Sequence, residues 1–141
     1  MDTKEYLQQA YRLDQKIKSD LEEVSRLREM STSISAPALG EKVQTSSKAD
    51  APFTRCVEKI LALEKKIDAE VDILVALKEE TRGVIAAVPD MDEQMVLRFR
   101  YIHNMTWDRI GNEMNANART IRRWHGAALL HVSLPKNPIK I

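Results

Sequence analysis

Two long apolar stripes constrain this chain more than any other feature. In residues 3–30, Leu7, Ala10, Ile17, Leu21 and Val24 recur at three-four spacing, and Tyr6, Leu13 and Leu27 widen the stripe. Asp2 and Glu5 stand at capping-box spacing, which gives the helix a start. A helix of this length extends roughly 42 Å at 1.5 Å per residue, too far for a lone element of a small domain. A second stripe runs through residues 54–88 on Val57, Ile60, Leu63, Ile67, Val71, Leu74 and Leu77, with Val84, Ile85 and Val88 prolonging it before Pro89. Charges such as Glu58, Lys59, Glu64, Lys65, Lys66, Asp68, Glu70 and Asp72 flank that stripe, as in a solvated coiled coil. The expectation is an antiparallel coiled-coil hairpin. Two helices alone make a thin core, so the apolar surface left over is expected to form a homodimer or to meet another protein.

Between the rods, residues 31–53 are rich in Ser, Ala and Thr, contain Pro37, Pro52 and Gly40, and show no period that could bury a face. They are expected to be a flexible linker. Cys56 is the single cysteine and falls within the apolar pattern, so it reads as a packed, reduced thiol, which suits the cytoplasm. No apolar run approaches the ~20 residues of a membrane span, and the N-terminal stretch lacks the apolar core of a signal peptide.

The remaining residues, 89–134, read as three short helices. Asp90 and Glu93 repeat the capping-box spacing ahead of Met95, Leu97, Phe99, Ile102 and Met105, and Asn104 is the expected stop. Thr106 caps a second helix carrying Trp107, Ile110 and Met114. Asn117 caps a third, from Ala118 to about Val132, with Ile121, Trp124, Ala128, Leu129 and Val132 as its apolar positions. The last two helices have the offsets of a helix-turn-helix. Gly111 supplies the tiny residue that lets two steeply crossed backbones approach, Asn115 tolerates the positive φ of the bend, and Ile121 returns to the shared core. Trp107 and Trp124 fall at inward positions and are expected in the core, their removal unfolding a module that stands by itself.

Charge is distributed unevenly behind a net value of +1: after Glu113 there are no acids, while Arg119, Arg122, Arg123, Lys136 and Lys140 follow. With Ile121, Trp124 and Ala128 turned inward, Ala118, Arg119, Arg122, Arg123 and Gly126 fall on the outer side. A planar guanidinium takes guanine O6 and N7 together or clamps a phosphate, so this face suits the major groove of double-stranded DNA. The expected DNA-binding set is Asn117, Ala118, Arg119, Thr120, Arg122 and Arg123, with Lys136 of the basic tail 135–141 steadying the domain on phosphates. His125 reads as a partly buried packing residue or a phosphate donor. Catalysis has no comparable support: there is no glycine-rich phosphate loop, no nucleophile motif and no metal-like spacing among His103, His125 and His131. No enzyme, metal or cofactor is expected.

The run LRFRYIHNMTWDRIGNEMNANARTIRRWHGAALLHV resembles region four of bacterial sigma factors. It is more similar still to the sigma-region-four-like C-termini of small phage proteins such as the late-gene regulators of the ArpU/RinA type. The opening residues 1–29 also look like the start of such phage proteins. The resemblance implies a DNA-binding transcription regulator in the host bacterial cell, an activator or accessory factor that engages RNA polymerase. Within it, Asn117 takes the recognition helix's capping position, and Arg119, Arg122 and Arg123 take groove-facing ones. Sigma factors often carry glutamate where this chain has Arg119, so minus-35 specificity does not carry over, and no segment resembles sigma region two. The alternatives are a small-terminase-like DNA-packaging protein and a coiled-coil protein that binds a host factor.

Overall fold

The computed structural model describes the backbone of residues 1–40 and 46–141, and the side chains of residues 1–33 and 51–141. The fold is all-α, with no strand among the described residues. Helix α1 spans Thr3–Gly40 and α2 spans Ser46–Ala86. Three short helices follow: α3 (Met91–Leu97), which runs on into a π-helical turn at Arg98–Ile102, then α4 (Trp107–Met114) and α5 (Ala118–Leu130).

The long helices correct the expected domain limits. Helical backbone continues into residues 31–53 from both sides, to Gly40 in α1 and from Ser46 in α2, with Pro52 inside the second helix. A flexible linker over 31–53 is therefore too wide, and residues 41–45 of it lie outside the described residues. The physical reason is that Ser, Ala and Thr carry only modest helix penalties, below about 0.7 kcal/mol per residue. Lacking an apolar face does not forbid a helical backbone.

The buried seam of each rod keeps a strict three-four count. On α2 it runs through Cys56, Ile60, Ile67, Glu70, Leu74, Leu77, Thr81 and Val84, with Val88 just beyond the helix end; on α1 through Tyr6, Ala10, Leu13, Ile17, Asp20 and Val24. Two residues expected in the stripes, Leu21 and Val71, are instead exposed, and their neighbours Asp20 and Glu70 are buried. A heptad seam is set by the count along the helix, and a polar residue at the seam position is carried inward with it.

Two compact units make up the chain, one from Met1–Asp14 with Ile73–Ile141 and the other from Gln15–Asp72. In the Gln15–Asp72 unit, Lys16 Nζ lies 3.6 Å from Glu70 Oε2 and Arg28 pairs with Glu64, so the two helices run antiparallel. In the other unit, the Tyr6 hydroxyl donates to Glu80 Oε1 at 2.7 Å. Burial, and then this carboxylate, push the Tyr6 phenol far above its ordinary range.

The unit that holds the three short helices also contains the start of α1 and the end of α2, so residues 89–134 are not a separate compact unit. Gln94 Nε2 donates to the carbonyls of Ala86 and Val88, tying α3 to the end of α2. The C-terminal residues, expected as a basic tail, are pinned to the same unit. Gln9 Nε2 donates to the Ile139 carbonyl at 2.8 Å, the Ile141 amide donates to Gln9 Oε1 at 3.0 Å, and the Ile139 amide donates to Glu80 Oε1 at 3.1 Å. A backbone that must satisfy its polar groups finds partners on the rods.

Candidate nucleic-acid interface

The geometry of α4 and α5 follows from three capping residues and one glycine. Asp90 Oδ1 accepts from the Glu93 amide, Thr106 Oγ1 from the Arg109 amide and Asn117 Oδ1 from the Thr120 amide, each satisfying an otherwise orphaned first-turn N–H. Helix α4 ends at Asn115, which adopts φ 55° and ψ 44°, the left-handed conformation that asparagine tolerates better than most residues. Asn104, at φ 54°, closes the preceding segment in the same way. A Cβ at Gly111 would collide with the carbonyl oxygen of Ala116, so the turn can close only over a residue with no side chain. That carbonyl belongs to the three-residue bend itself.

These constraints place α5 across α3 and α4 over a fully buried cluster of Val96, Ile110 and Ile121. Phe99, Met105, Trp107, Met114, Ala116 and Trp124 pack around it. Both tryptophans are half-buried members of this core, at the inward positions read from the sequence. Val96, which the apolar spacing passed over, is one of its three centres. Helix α5 closes at Leu130, about half a turn before the expected end at Val132.

His125 is a packing residue. It is buried, shares a 2.6 Å hydrogen bond between its Nε2 and the Tyr101 hydroxyl, and meets the Trp107 ring edge-on at 4.8 Å between centroids. Burial lowers its pKa to about 4, with the charges of Lys4 and Arg100 adding to the effect. The Tyr101 hydroxyl is pushed up to about 12, chiefly by burial, so at neutral pH the phenol keeps its proton and the imidazole is neutral. Its burial favours packing over the alternative role of phosphate donor.

The opposite side of α5 is open. Arg119, Arg122, Arg123 and Gly126 are exposed, and at 100° per residue all four fall within an arc of roughly 100°. The three guanidiniums have no ion-pair partner among the described residues. Nothing lies within 4 Å of a Cβ built at Gly126, so the ridge has no steric lid. Ala118 and Thr120 are half-buried at the two edges of the ridge. Asn117 is exposed, with its side-chain oxygen already engaged as the helix cap. Lys136 is exposed on the tail.

The structure also brings together residues that no pattern in the sequence singled out. The π turn carries Arg100 and Tyr101: Arg100 Nη1 donates to the Met105 carbonyl at 2.9 Å, its guanidinium lies 4.2 Å from the centre of the Trp107 ring, and Tyr101 reaches His125. A single extra residue in a helical turn re-aims side chains without any signature in apolar spacing. Near the end of α5, His131 Nδ1 sits 2.8 Å from Glu93 Oε2 in the first turn of α3, tying those two helices at the periphery.

Among the described residues, no helix is long and apolar enough to cross a membrane. No curated protein and no solved structure matches the chain significantly. A family described as "Protein of unknown function (DUF1492)" matches residues 34–133, a span that includes α2 and all three short helices, and the chain belongs to that family.

Proposed function

We propose that this protein is a sequence-specific DNA-binding transcription regulator that lays α5 in the major groove of double-stranded DNA. The observation that carries this is the exposed ridge of Arg119, Arg122 and Arg123 on the outer side of the second helix of a helix-turn-helix, with open space at Gly126 and no acid in the chain after Glu113. Arginine forks on base edges supply sequence preference, while phosphate contacts supply position and much of the affinity. The similarity of this segment to sigma region four and to ArpU/RinA-type phage regulators supports an activator or accessory factor acting beside RNA polymerase in a bacterial host. The rods supply the partner surface, where Leu61 of the Gln15–Asp72 unit is an exposed apolar residue available to a second copy.

Arg119→Ala combined with Arg123→Ala tests the proposal. Each good arginine–base pair contributes about 1–3 kcal/mol of discrimination, so duplex affinity falls at least tenfold while the melting temperature stays unchanged. Unchanged affinity and unchanged reporter output would remove this face from DNA recognition.

A further inference from the structure

A second concave site in the unit of Met1–Asp14 and Ile73–Ile141 has no part in the groove-facing ridge. It is a cavity of about 450 Å³ lined by Tyr11 and Arg12 of α1, Arg100 and Tyr101 of the π turn, and Asn104 and Thr106 of the segment leading into α4. Sites for small ligands commonly enclose roughly 300–1,000 Å³ and join an apolar or aromatic wall to a few convergent polar groups. Here the convergent groups are two guanidiniums, and no carboxylate lines the cavity among the described residues.

Arg100 is held in place before any ligand arrives. Its contacts with the Met105 carbonyl and the face of Trp107 fix the plane of the guanidinium while occupying only one of its five N–H donors. Arg12 is exposed and lines the cavity from α1, and Asn104, held at positive φ, adds an amide. Thr106, the cap of α4, adds a hydroxyl. Two planar forks, an amide and a hydroxyl offer more donors than the two oxygens of a carboxylate can accept. A tetrahedral oxyanion with three free oxygens matches them better.

We propose that this cavity binds a phosphate group, carried either by the backbone of a bound duplex or by a free phosphorylated molecule. Tyr101 lines the cavity and is hydrogen-bonded to His125 in the middle of α5, so an occupant of the cavity lies one side chain from the helix that bears the arginine ridge. The free-phosphate form of the proposal does not depend on the DNA reading. Only the duplex-borne form rests on it.

Inorganic pyrophosphate, titrated calorimetrically into the full chain and into Arg12→Ala, is the first arm of the test. Arg12 is exposed, so its removal leaves the fold intact. The second arm is the salt dependence of duplex binding for the same two proteins. Saturable pyrophosphate binding that Arg12→Ala weakens at least tenfold assigns a free ligand. Absence of pyrophosphate binding, with a log–log salt slope shallower by about 0.9 in Arg12→Ala, assigns a backbone phosphate. Pyrophosphate binding that is absent or indifferent to Arg12→Ala, together with an unchanged slope or no duplex binding at all, overturns the proposal. Arg119→Ala with Arg123→Ala leaves pyrophosphate binding untouched in every case, so failure of the ridge and failure of the cavity are read separately.

Discussion

The end of the molecule built from three short helices and the Gln15–Asp72 stretch of the rods solve the same problem of burying apolar side chains in opposite ways. In the first, Val96, Ile110 and Ile121 are fully excluded from solvent, each short helix begins at a side-chain cap, and a glycine meets a carbonyl at the bend. In the second, a repeating seam does the work, yet it buries the carboxylates of Asp20 and Glu70, three of whose oxygens find no hydrogen-bond partner among the described residues. Leu21, Leu61 and Val71 remain exposed in that stretch. A short-helix core tolerates few errors because every position is used once. A long seam tolerates several because its repeats share the load.

The contrast is broken most forcefully at Gly111. Gly111→Ala forces a methyl group into the Ala116 carbonyl and should cost several kcal/mol, lowering the midpoint of thermal unfolding by well over 5 °C. Gly126→Ala has open space around it and should stabilise α5 by up to about 1 kcal/mol. Circular dichroism melts of the two variants decide the matter: equal behaviour would mean that the bend is not the constraint inferred from its geometry.

A pH series sharpens the same comparison. The folded state holds His125 neutral, with its pKa lowered to about 4, whereas an unfolded chain protonates it near pH 6.5. The unfolded state therefore binds the extra proton between those values. The contribution is complete above about pH 6.5 and is lost progressively as pH falls toward 4, up to roughly 3 kcal/mol. Urea melts at pH 7.5 and pH 4.5 should show a larger loss for the natural chain than for His125→Gln. An identical loss in both proteins would assign the acid sensitivity to other groups.

The smallest effect is expected in the rods. Glu70→Leu exchanges a buried carboxylate, paired with an exposed Lys16 at 3.6 Å, for an apolar seam residue. Replacing such a group by a hydrophobe is commonly neutral or stabilising by about 1–4 kcal/mol, and the long exposed arm of Lys16 favours the lower part of that range. A melting temperature that falls would show that Glu70 stabilises the pairing or fixes its register.

What was legible in the sequence follows the same division. The caps Asp90, Thr106 and Asn117, the left-handed Asn115, the small Gly111 and the outward arginines were readable because each answers a local geometric demand that few residue types can meet. The rods were readable as rods, but their limits were not. Residues without an apolar period still continued as helix to Gly40 and from Ser46, and spacing by residue type put Leu21 and Val71 where the heptad count puts Asp20 and Glu70. The π turn at Arg98–Ile102 and the docking of Ile139 and Ile141 on Gln9 and Glu80 left no pattern to read. They join positions 59 or more residues apart, or depend on one extra residue in a turn.

The central claim is that the arginine ridge of α5 reads bases. Selection of bound duplexes from a random pool, carried out with the full chain across a salt series, tests it most directly. An enriched site containing guanines, retained as salt rises and lost in the Arg119→Ala, Arg123→Ala protein, is the expected result. A steep loss of binding with salt and no enriched sequence would contradict it, leaving a surface that holds polyanions without reading them.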